Sequence, residues 1–203
     1  LERGQTKLRA EKGRRLPKMN PFTLSILICT LPERAAFLRR LMTSLERQSR
    51  GLPVEILTDN RGKSISIGAK RNALLKRARG AYVAFIDDDD EVAGNYIQLV
   101  LQALRSKPDC AELRGEITTD GKNPKPFIHT ITCKEWHEKD GTYWRMPNHL
   151  NAIRRELALQ AGFPEKNFGE DHDFSKRVQP LLKTQGNIPQ TIYYYRYRSN
   201  KRA

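Results

Sequence analysis

Cysteine is scarce in this sequence of 203 residues, and apolar runs are short. Its three cysteines, Cys29, Cys110 and Cys133, are too few and too far apart for a disulfide framework or a CxxC zinc site, so we expect reduced structural thiols. No apolar run approaches the about 20 residues that cross a bilayer, and the N-terminal residues lack the apolar core of a signal peptide. These absences predict a cytoplasmic protein without a membrane span.

Acidic residues are also relatively few: the sequence has 23 aspartates and glutamates and 37 lysines and arginines, which gives a formal net charge of +14. Residues 1–20 carry seven basic residues and no hydrophobic periodicity, which predicts a flexible basic arm or linker outside the fold. Residues 61–79 carry seven more and no acid. Such a charge favours nucleic acid, an anionic membrane surface or a phosphate-bearing substrate, and composition alone does not choose among them.

The P-loop motif GxxxxGK[ST] is absent as well, which weakens a phosphoryl-transfer interpretation. What the first half does contain is a regular alternation of elements. Strands are predicted at residues 23–30, 53–58 and 82–86. Helices are predicted from Pro32 onwards, over residues 67–79 with Gly80 as the C-terminal cap, and over residues 96–104. Strands that alternate with helices predict an α/β fold with a mostly parallel sheet.

The second half has a different pattern, with strands that follow one another. We predict strands at residues 110–118 and 126–132, joined by a turn-rich segment at 119–125, and a late strand at 191–198. Short helices are predicted at 152–160 and 174–182. This half is therefore expected to be mixed or antiparallel.

The densest charge in the chain is the acidic run, Asp87, Asp88, Asp89, Asp90 and Glu91, directly after an apolar strand. Carboxylates this close repel one another, so they need either water or a cation. A solvated loop is one interpretation. A ligand or metal site is the other, and the position favours it, because open α/β sheets bind ligands at the carboxyl ends of their strands.

Five segments, taken in order, resemble the family 2 glycosyltransferases: residues 25–34, Asp59, residues 68–72, residues 80–90 and residues 169–174. The resemblance spans residues 23–178. It implies a GT-A fold, an α/β architecture with a Rossmann-like, mostly parallel sheet, helices on both of its faces and a mixed or antiparallel C-terminal half. One domain would occupy residues 21–203, with a nucleotide-binding half at 21–106 and an acceptor-binding half at 107–203.

The implied activity is transfer of a sugar, with inversion, from a nucleotide-sugar donor to an acceptor hydroxyl, and a UDP-sugar is the expected donor. In the resemblance Asp87 and Asp89 form the DXD pair, and Asp89 is the direct ligand of Mn²⁺ or Mg²⁺, which prefer oxygen ligands. Asp87 and Asp88 would then face the ribose or metal-bound water. Asp90 and Glu91 are interpreted as the start of the next loop.

The resemblance also places side chains at the nucleotide: Thr30 beside the base, Asp59 at the base or ribose, and Lys70 and Arg71 at the diphosphate. A turn-forming role for Asp59 and a solvated helix face for the basic residues are the alternatives.

Asp171 resembles the base that takes the proton from the acceptor hydroxyl, with Glu170 orienting the acceptor or the base. The alternative is that both acids only cap a helix that begins near Phe174. Flat rings stack on sugars and bases, so Trp136, Trp144, His149 and His172 are expected on the acceptor side, with core packing as the alternative for the tryptophans.

The acceptor itself stays open at this stage. A glycan or another hydroxyl compound is expected, whereas modified DNA is the variant that the basic segments favour: residues 1–20 and 61–79, with Arg196, Arg198, Lys201 and Arg202. A nucleic-acid-binding module without catalysis is the rival from another class.

Overall fold

The structure, a computed structural model, describes residues 22–199. The predicted basic arm at residues 1–20, together with Lys201 and Arg202, lies outside these residues. The strands are β1 (Leu24–Cys29), β2 (Val54–Asp59), β3 (Tyr82–Phe85), β4 (Glu91–Val92), β5 (Cys110–Ala111), β6 (Leu113–Thr119), β7 (Lys122–His129), β8 (His137–Lys139), β9 (Thr142–Arg145), β10 (Ile153–Arg154), β11 (Gln185–Gly186) and β12 (Tyr193–Tyr197). The helices are α1 (Ala35–Ser49), α2 (Ile67–Arg77), α3 (Tyr96–Ala103), α4 (Arg155–Ala161) and α5 (Glu170–Val178), with 3₁₀ turns at Pro32–Arg34 and Gln179–Leu181.

The first sheet has the strand order β11-β5-β10-β3-β1-β2. Its centre is parallel, because β1 pairs in parallel with both β2 and β3, so the carboxyl ends of these strands meet at one edge. β10 runs antiparallel to β3 and β5, and β11 runs parallel to β5. The first sheet thus takes strands from both halves of the chain.

Helices cover both faces of this sheet, as the alternation of strand and helix predicts. Leu24, Ile26 and Ile28 of β1 pack in a core with α1, α3 and the second sheet. Leu27 and Cys29 point the other way, into a core with α2, α4 and α5. Because β1 is buried on both faces, its sequence is apolar almost without interruption. No helix within residues 22–199 is both long and apolar enough to cross a membrane.

The second sheet, β4-β12-β6-β7-β9-β8, is mixed and is built around two hairpins. Each hairpin turns through an Asp-Gly pair with positive φ at both positions, Asp120–Gly121 and Asp140–Gly141. Such primed turns suit the twist of two paired strands. The turn predicted over residues 119–125 was therefore too wide, since β7 already begins at Lys122.

Gly80 was predicted as the C-terminal cap of α2, and that prediction was wrong. The helix ends at Arg77, and its C-cap residue is Ala78, with an extended ψ of 139°. Gly80 instead lies where backbones approach closely, because a Cβ atom there would stand 2.5 Å from the backbone nitrogen of Ser25. Packing against β1 explains this glycine.

Candidate active site

A cleft of about 610 Å³ opens at the carboxyl ends of β1 and β3. Four stretches of chain line it: the end of β1 and the following 3₁₀ turn, residues 63–71 at the start of α2, the first three acids of the run, and residues 167–171 at the start of α5. His149 and Tyr195 complete the wall. The cleft therefore lies where ligands bind in open α/β sheets.

Arg71 joins the two distant groups of acids that the sequence singled out. Its Nη1 donates to Glu170 Oε1 at 2.7 Å, and its Nη2 lies 3.2 Å from Asp87 Oδ1. The side chain is buried, with its guanidinium over the rings of Phe85 and Phe163. A buried cation held by two carboxylates fixes the acidic run against the start of α5.

Lys70 and Thr30 lie beside each other at the end of β1. The ammonium of Lys70, a buried residue, donates to the backbone oxygen of Thr30 at 3.0 Å. The hydroxyl of Thr30 donates to Asp88 Oδ2 at 2.5 Å. Both residues line the cleft, and their contacts with a nucleotide stay a prediction. The solvated helix face considered for Lys70 is wrong because this residue is buried.

Arg34 is the cation that faces the middle of the acidic run. Its Nε lies 2.9 Å from Asp88 Oδ2, and its Nη2 lies 2.9 Å from Asp89 Oδ1. Asp88 and Asp89 are both buried, whereas the side chain of Arg34 is partly exposed. The solvated-loop interpretation of the run is thereby excluded for these two acids.

Asp87 is the most accessible of the first three acids, with 32% of its side chain exposed to the cleft. Its Oδ2 lies 3.7 Å from Nε2 of His149, a buried residue of the cleft wall. The backbone nitrogen of Asp87 donates to the hydroxyl of Tyr193 at 3.3 Å. Asp87 is thus held from three sides, with a carboxylate that reaches the cleft.

The interpretation of Asp90 and Glu91 as the start of a loop was wrong for Glu91, which lies in β4, whereas Asp90 belongs to the turn before that strand. Asp90 is buried, and its carboxylate accepts hydrogen bonds from the Tyr193 hydroxyl at 2.7 Å and the Arg196 backbone at 2.8 Å. Burial, with the nearby charge of Asp87, raises the pKa of Asp90 to about 8. Glu91 lies in β4 and pairs with Arg196 and Arg40. Both acids tie the run to the second sheet.

Glu170 and Asp171 form the first turn of α5, which begins four residues earlier than predicted. Gly169 precedes them with a left-handed φ of 70°, a conformation that favours glycine. Burial raises the pKa of Glu170, and the neighbouring Arg71 only partly offsets this effect. Asp171 lines both the cleft and an adjoining cavity of about 60 Å³. It therefore lies in the first turn of a helix, as the alternative interpretation proposed, and is also accessible from the cleft.

Asp59, which was predicted to bind the nucleotide, does not line the cleft. It is the last residue of β2, and its carboxylate is gripped by the guanidinium of Arg61, with Nη2 at 2.6 Å from Oδ2. Burial raises the pKa of Asp59, but the hydrogen bonds from Arg61 outweigh it and hold the pKa below its ordinary value. The Oδ1 atom also accepts from the Arg61 backbone, the local turn considered as the alternative.

The aromatic residues expected on the acceptor side are divided by the structure. His149 lies in the cleft wall. The rings of His172 and Trp136 meet edge to face with their centroids 4.8 Å apart, and the guanidinium carbon of Arg145 lies over the Trp136 ring, 4.9 Å from its centroid. Trp144 stacks on His137 along the second hairpin. Trp136, Trp144 and His172 are outside the residues that line the cleft.

Arg34, Phe168 and Tyr195 are among the cleft residues that were given no role from the sequence. Arg34 was visible only as part of the resembling segment 25–34. Phe168 is 89% exposed, which is unusual for so large an apolar side chain and has no sequence signal. Tyr195 arrives from β12, more than 100 residues after the acidic run.

The donor set in the cleft fits a hard divalent cation that is shared with a substrate. Within the described part of the chain, no three histidine, cysteine, aspartate or glutamate side chains are grouped to hold a metal by themselves. Mg²⁺ in nucleotide enzymes is, however, usually held by one or two carboxylates together with phosphate oxygens. Asp89 already holds a positively charged nitrogen at 2.9 Å, which stands in for such a cation.

Comparisons with known proteins agree with this geometry. The model of the family described as "Glycosyl transferase family 2" matches residues 59–164, just over half of the chain. A relative from Bacillus subtilis (strain 168), described as "Putative glycosyltransferase EpsH", is 27% identical over 161 residues, 68% of this chain and 45% of that protein. The chain therefore spans less than half the length of that relative.

Solved structures of S. aureus TarS share the fold. TarS 1-349 matches with a TM-score of 0.61 and 16% identity over 86% of this chain and 60% of that one. The same protein in complex with UDP-GlcNAc matches with a TM-score of 0.62 and 15% identity over 89% of this chain and 60% of that one. At this identity the likeness concerns the fold, and it confirms the GT-A architecture predicted above. Together with the family model, it leads to one conclusion: the chain belongs to glycosyl transferase family 2.

Proposed function

We propose that this chain transfers a sugar from a nucleotide-sugar donor, of the UDP class, to an acceptor hydroxyl with inversion at the anomeric carbon. The observation that carries the proposal is the bridge through Arg71, which holds Asp87 and Glu170 in one cleft. The acids proposed for the donor and the start of α5, with its proposed base, therefore face the same space. TarS, the structural neighbour, was solved with UDP and with UDP-GlcNAc, which supports the donor class.

In this proposal Asp171 accepts the proton of the acceptor hydroxyl as its oxygen attacks the anomeric carbon. Glu170 and Arg71 orient that end of the cleft, and Lys70 lies with them along its wall. Asp89, with Asp87, would hold Mn²⁺ or Mg²⁺, which would neutralise charge on the departing nucleoside diphosphate. Asp87, Asp88 and Thr30 face the nucleotide.

The basic segment 61–79 offers a nucleic-acid acceptor less unpaired charge than its composition suggests. In the basic segment 61–79, Arg61 pairs with Asp59, Lys63 with Glu33, Arg71 with two acids of the cleft, and Arg79 with Glu55. Charges neutralised within the fold attract a polyanion weakly. We therefore propose a glycan or another hydroxyl compound as the acceptor. The cytoplasmic location stays a prediction.

A thermal-shift experiment tests the donor and the cation together. UDP-, GDP- and CMP-sugars are added with and without Mn²⁺, and the melting temperature is recorded, since a ligand that binds the folded state raises it. We expect the largest rise with a UDP-sugar and Mn²⁺. A chain whose melting temperature responds to none of these donors would contradict the proposed function. A rise that EDTA leaves unchanged would contradict the role of the cation alone.

Asp171→Asn tests the base. We expect turnover to fall by at least about 100-fold, the usual contribution of general base catalysis, while donor binding in the thermal-shift experiment stays unchanged. Asp173→Asn is the matched control, because Asp173 lies in the same helix and pairs with Lys166 outside the cleft. Full activity of the Asp171 variant would remove this assignment.

A further inference from the structure

We propose that Arg34 occupies the cation position of the acidic run and passes from Asp89 to the donor diphosphate when the donor and its cation bind. This inference rests on the proposed function and names a residue to which the family resemblance assigned no role. It makes Arg34 a donor-binding residue that also weakens cation binding when no nucleotide is present.

Arg34 contacts both acids, but through different nitrogens. Its Nε donates to both carboxylate oxygens of Asp88, at 3.0 Å from Oδ1 and 2.9 Å from Oδ2, and its Nη2 lies 2.5 Å from Oδ1 of the same residue. The same Nη2 lies 2.9 Å from Asp89 Oδ1. Arg34 can therefore move Nη2 away from Asp89 and keep the bifurcated hydrogen bond from Nε to Asp88.

Asp88 has a second anchor, because the Thr30 hydroxyl also donates to it. The other side of the guanidinium lies over the ring of Phe37, 5.3 Å from its centroid. Arg34 itself ends the 3₁₀ turn that Pro32 begins, so its backbone is fixed directly after β1. A small rotation about the anchored Nε, without a change in the backbone, frees Nη2 within the cleft.

A divalent cation on Asp89 Oδ1 would lie close to Nη2, and the two positive charges repel each other. Repulsion between charges a few ångströms apart is considerable near a protein surface, and the double charge of the ion doubles it. Nη2 must therefore leave Asp89 when the cation arrives. A donor diphosphate gives the displaced N–H groups a new acceptor, since guanidinium groups bind phosphate oxygens well.

Cation and nucleotide binding are therefore coupled through Arg34. Without nucleotide, Arg34 competes with the cation for Asp89 and weakens its binding. With nucleotide, Arg34 adds a contact to the diphosphate and strengthens binding of both ligands. Removal of Arg34 should change the two affinities in opposite directions, whereas a merely structural role would weaken both.

The experiment measures Mn²⁺ binding by electron paramagnetic resonance, alone and with UDP, and UDP binding by calorimetry. The variants are Arg34→Gln and Arg34→Lys. Arg40→Gln is the matched control: Arg40 lies next to the run, pairs with Glu91 and reaches Asp89 only at its backbone oxygen, at 3.5 Å. Circular dichroism establishes that each variant is folded.

For Arg34→Gln we expect Mn²⁺ alone to bind about tenfold more tightly and UDP in the presence of Mn²⁺ to bind about tenfold more weakly, a change of about 1.4 kcal/mol in each case. Arg34→Lys should fall between the two proteins, and Arg40→Gln should match the unmodified chain. Mn²⁺ binding that is unchanged or weaker in Arg34→Gln overturns the inference, and the proposed function stands if UDP still binds the unmodified chain. Absence of UDP binding in every protein, with or without Mn²⁺, overturns both.

Discussion

Arg71 illustrates how far the chemistry of one residue depends on neighbours that are distant along the chain. The sequence placed it at a diphosphate because of the segment 68–72 that it belongs to. Its partner Glu170 lies 99 residues further along the chain, and no local sequence pattern predicts that ion pair. Residue types at the cleft could therefore be read from the sequence, whereas their ion pairs could not.

His129 is a buried residue whose protonation state follows from its neighbours. Asn151 donates through Nδ2 to the backbone of Ala111 and accepts at Oδ1 from the backbone of Asn148. Its Oδ1 is thus an acceptor, so Nδ1 of His129, 3.1 Å away, carries the proton. Burial, with the positive charge of Arg145, lowers the pKa of His129 to about 3.

This lowered pKa makes the stability of the protein depend on pH. The neutral imidazole stabilises the fold above the unfolded-state pKa of about 6.5, and this contribution is lost as the pH falls towards 3. We expect His129→Asn, which keeps a donor near the Nδ1 position, to lose less stability than the unmodified chain between pH 7 and pH 4, by about 3 kcal/mol. Urea unfolding at the two pH values measures the difference, and parallel losses in the two proteins would contradict it.

At the level of secondary structure, the elements that the sequence predicted are those with a long local pattern. The strands β1, β2 and β3 and the helices α1, α2 and α3 follow apolar runs or helical spacing and begin within a few residues of the predicted positions. The two-residue strands β4, β10 and β11 have no such pattern, because sheet partners rather than local preference define them. The single strand predicted at residues 110–118 is divided into β5 and β6. The hairpin of β8 and β9 did have a signal, Asp140–Gly141, which was missed.

The start of α2 supports the loop that leads to the proposed base. The backbone nitrogen of Gly68 donates to the oxygen of Lys166 at 3.2 Å, and that of Ile67 donates to Asn167 Oδ1 at 3.0 Å. A Cβ atom on Gly68 would lie 1.8 Å from the backbone oxygen of Pro164. The loop is thus packed directly on the helix backbone.

Gly68→Ala should therefore displace this loop and lower the unfolding free energy by about 1–3 kcal/mol, the usual cost of overpacking. We also expect turnover to fall, because Glu170 and Asp171 follow the loop. Gly94→Ala is the control, since a Cβ atom there meets nothing within 4 Å. Equal stability of the two variants in chemical unfolding would show that the loop is not held in this way.

At the scale of the whole molecule, the order of motifs along the chain predicted the GT-A architecture. The two sheets, however, do not correspond to the two halves of the chain. β5, β10 and β11 come from the second half and complete the first sheet, and β4 comes from the first half and completes the second. Pairing between strands that are distant along the chain decides which sheet each strand joins. A single sequence gives no direct signal for such pairing. Joining the sheets this way brings Tyr195 of β12 into the wall of the cleft.

Tyr193 is the main side chain that joins the second sheet to the acidic run. Its buried hydroxyl donates to Asp90 and accepts from the backbone of Asp87. Tyr193→Phe leaves both groups without this partner, so we expect the unfolding free energy to fall by about 1–3 kcal/mol. Tyr197→Phe, an exposed position in the same strand, should change it by less than about 0.5 kcal/mol. Thermal unfolding of both variants measures this, and similar losses would contradict the role of the buried hydroxyl.

The acidic run at residues 87–91 also limits which mutations this stretch of the chain tolerates. Its successive carboxylates are held by different parts of the fold: Asp87 by α2, Asp88 by the turn after β1, and Asp90 and Glu91 by β12. Deletion of one aspartate codon would leave three identical residues in place and scarcely alter the composition. It would nevertheless put a glutamate at the buried position of Asp90 and move every following residue, β4 included, back by one position. Among mutations in this stretch, we therefore expect a change of length to be tolerated less well than any single replacement.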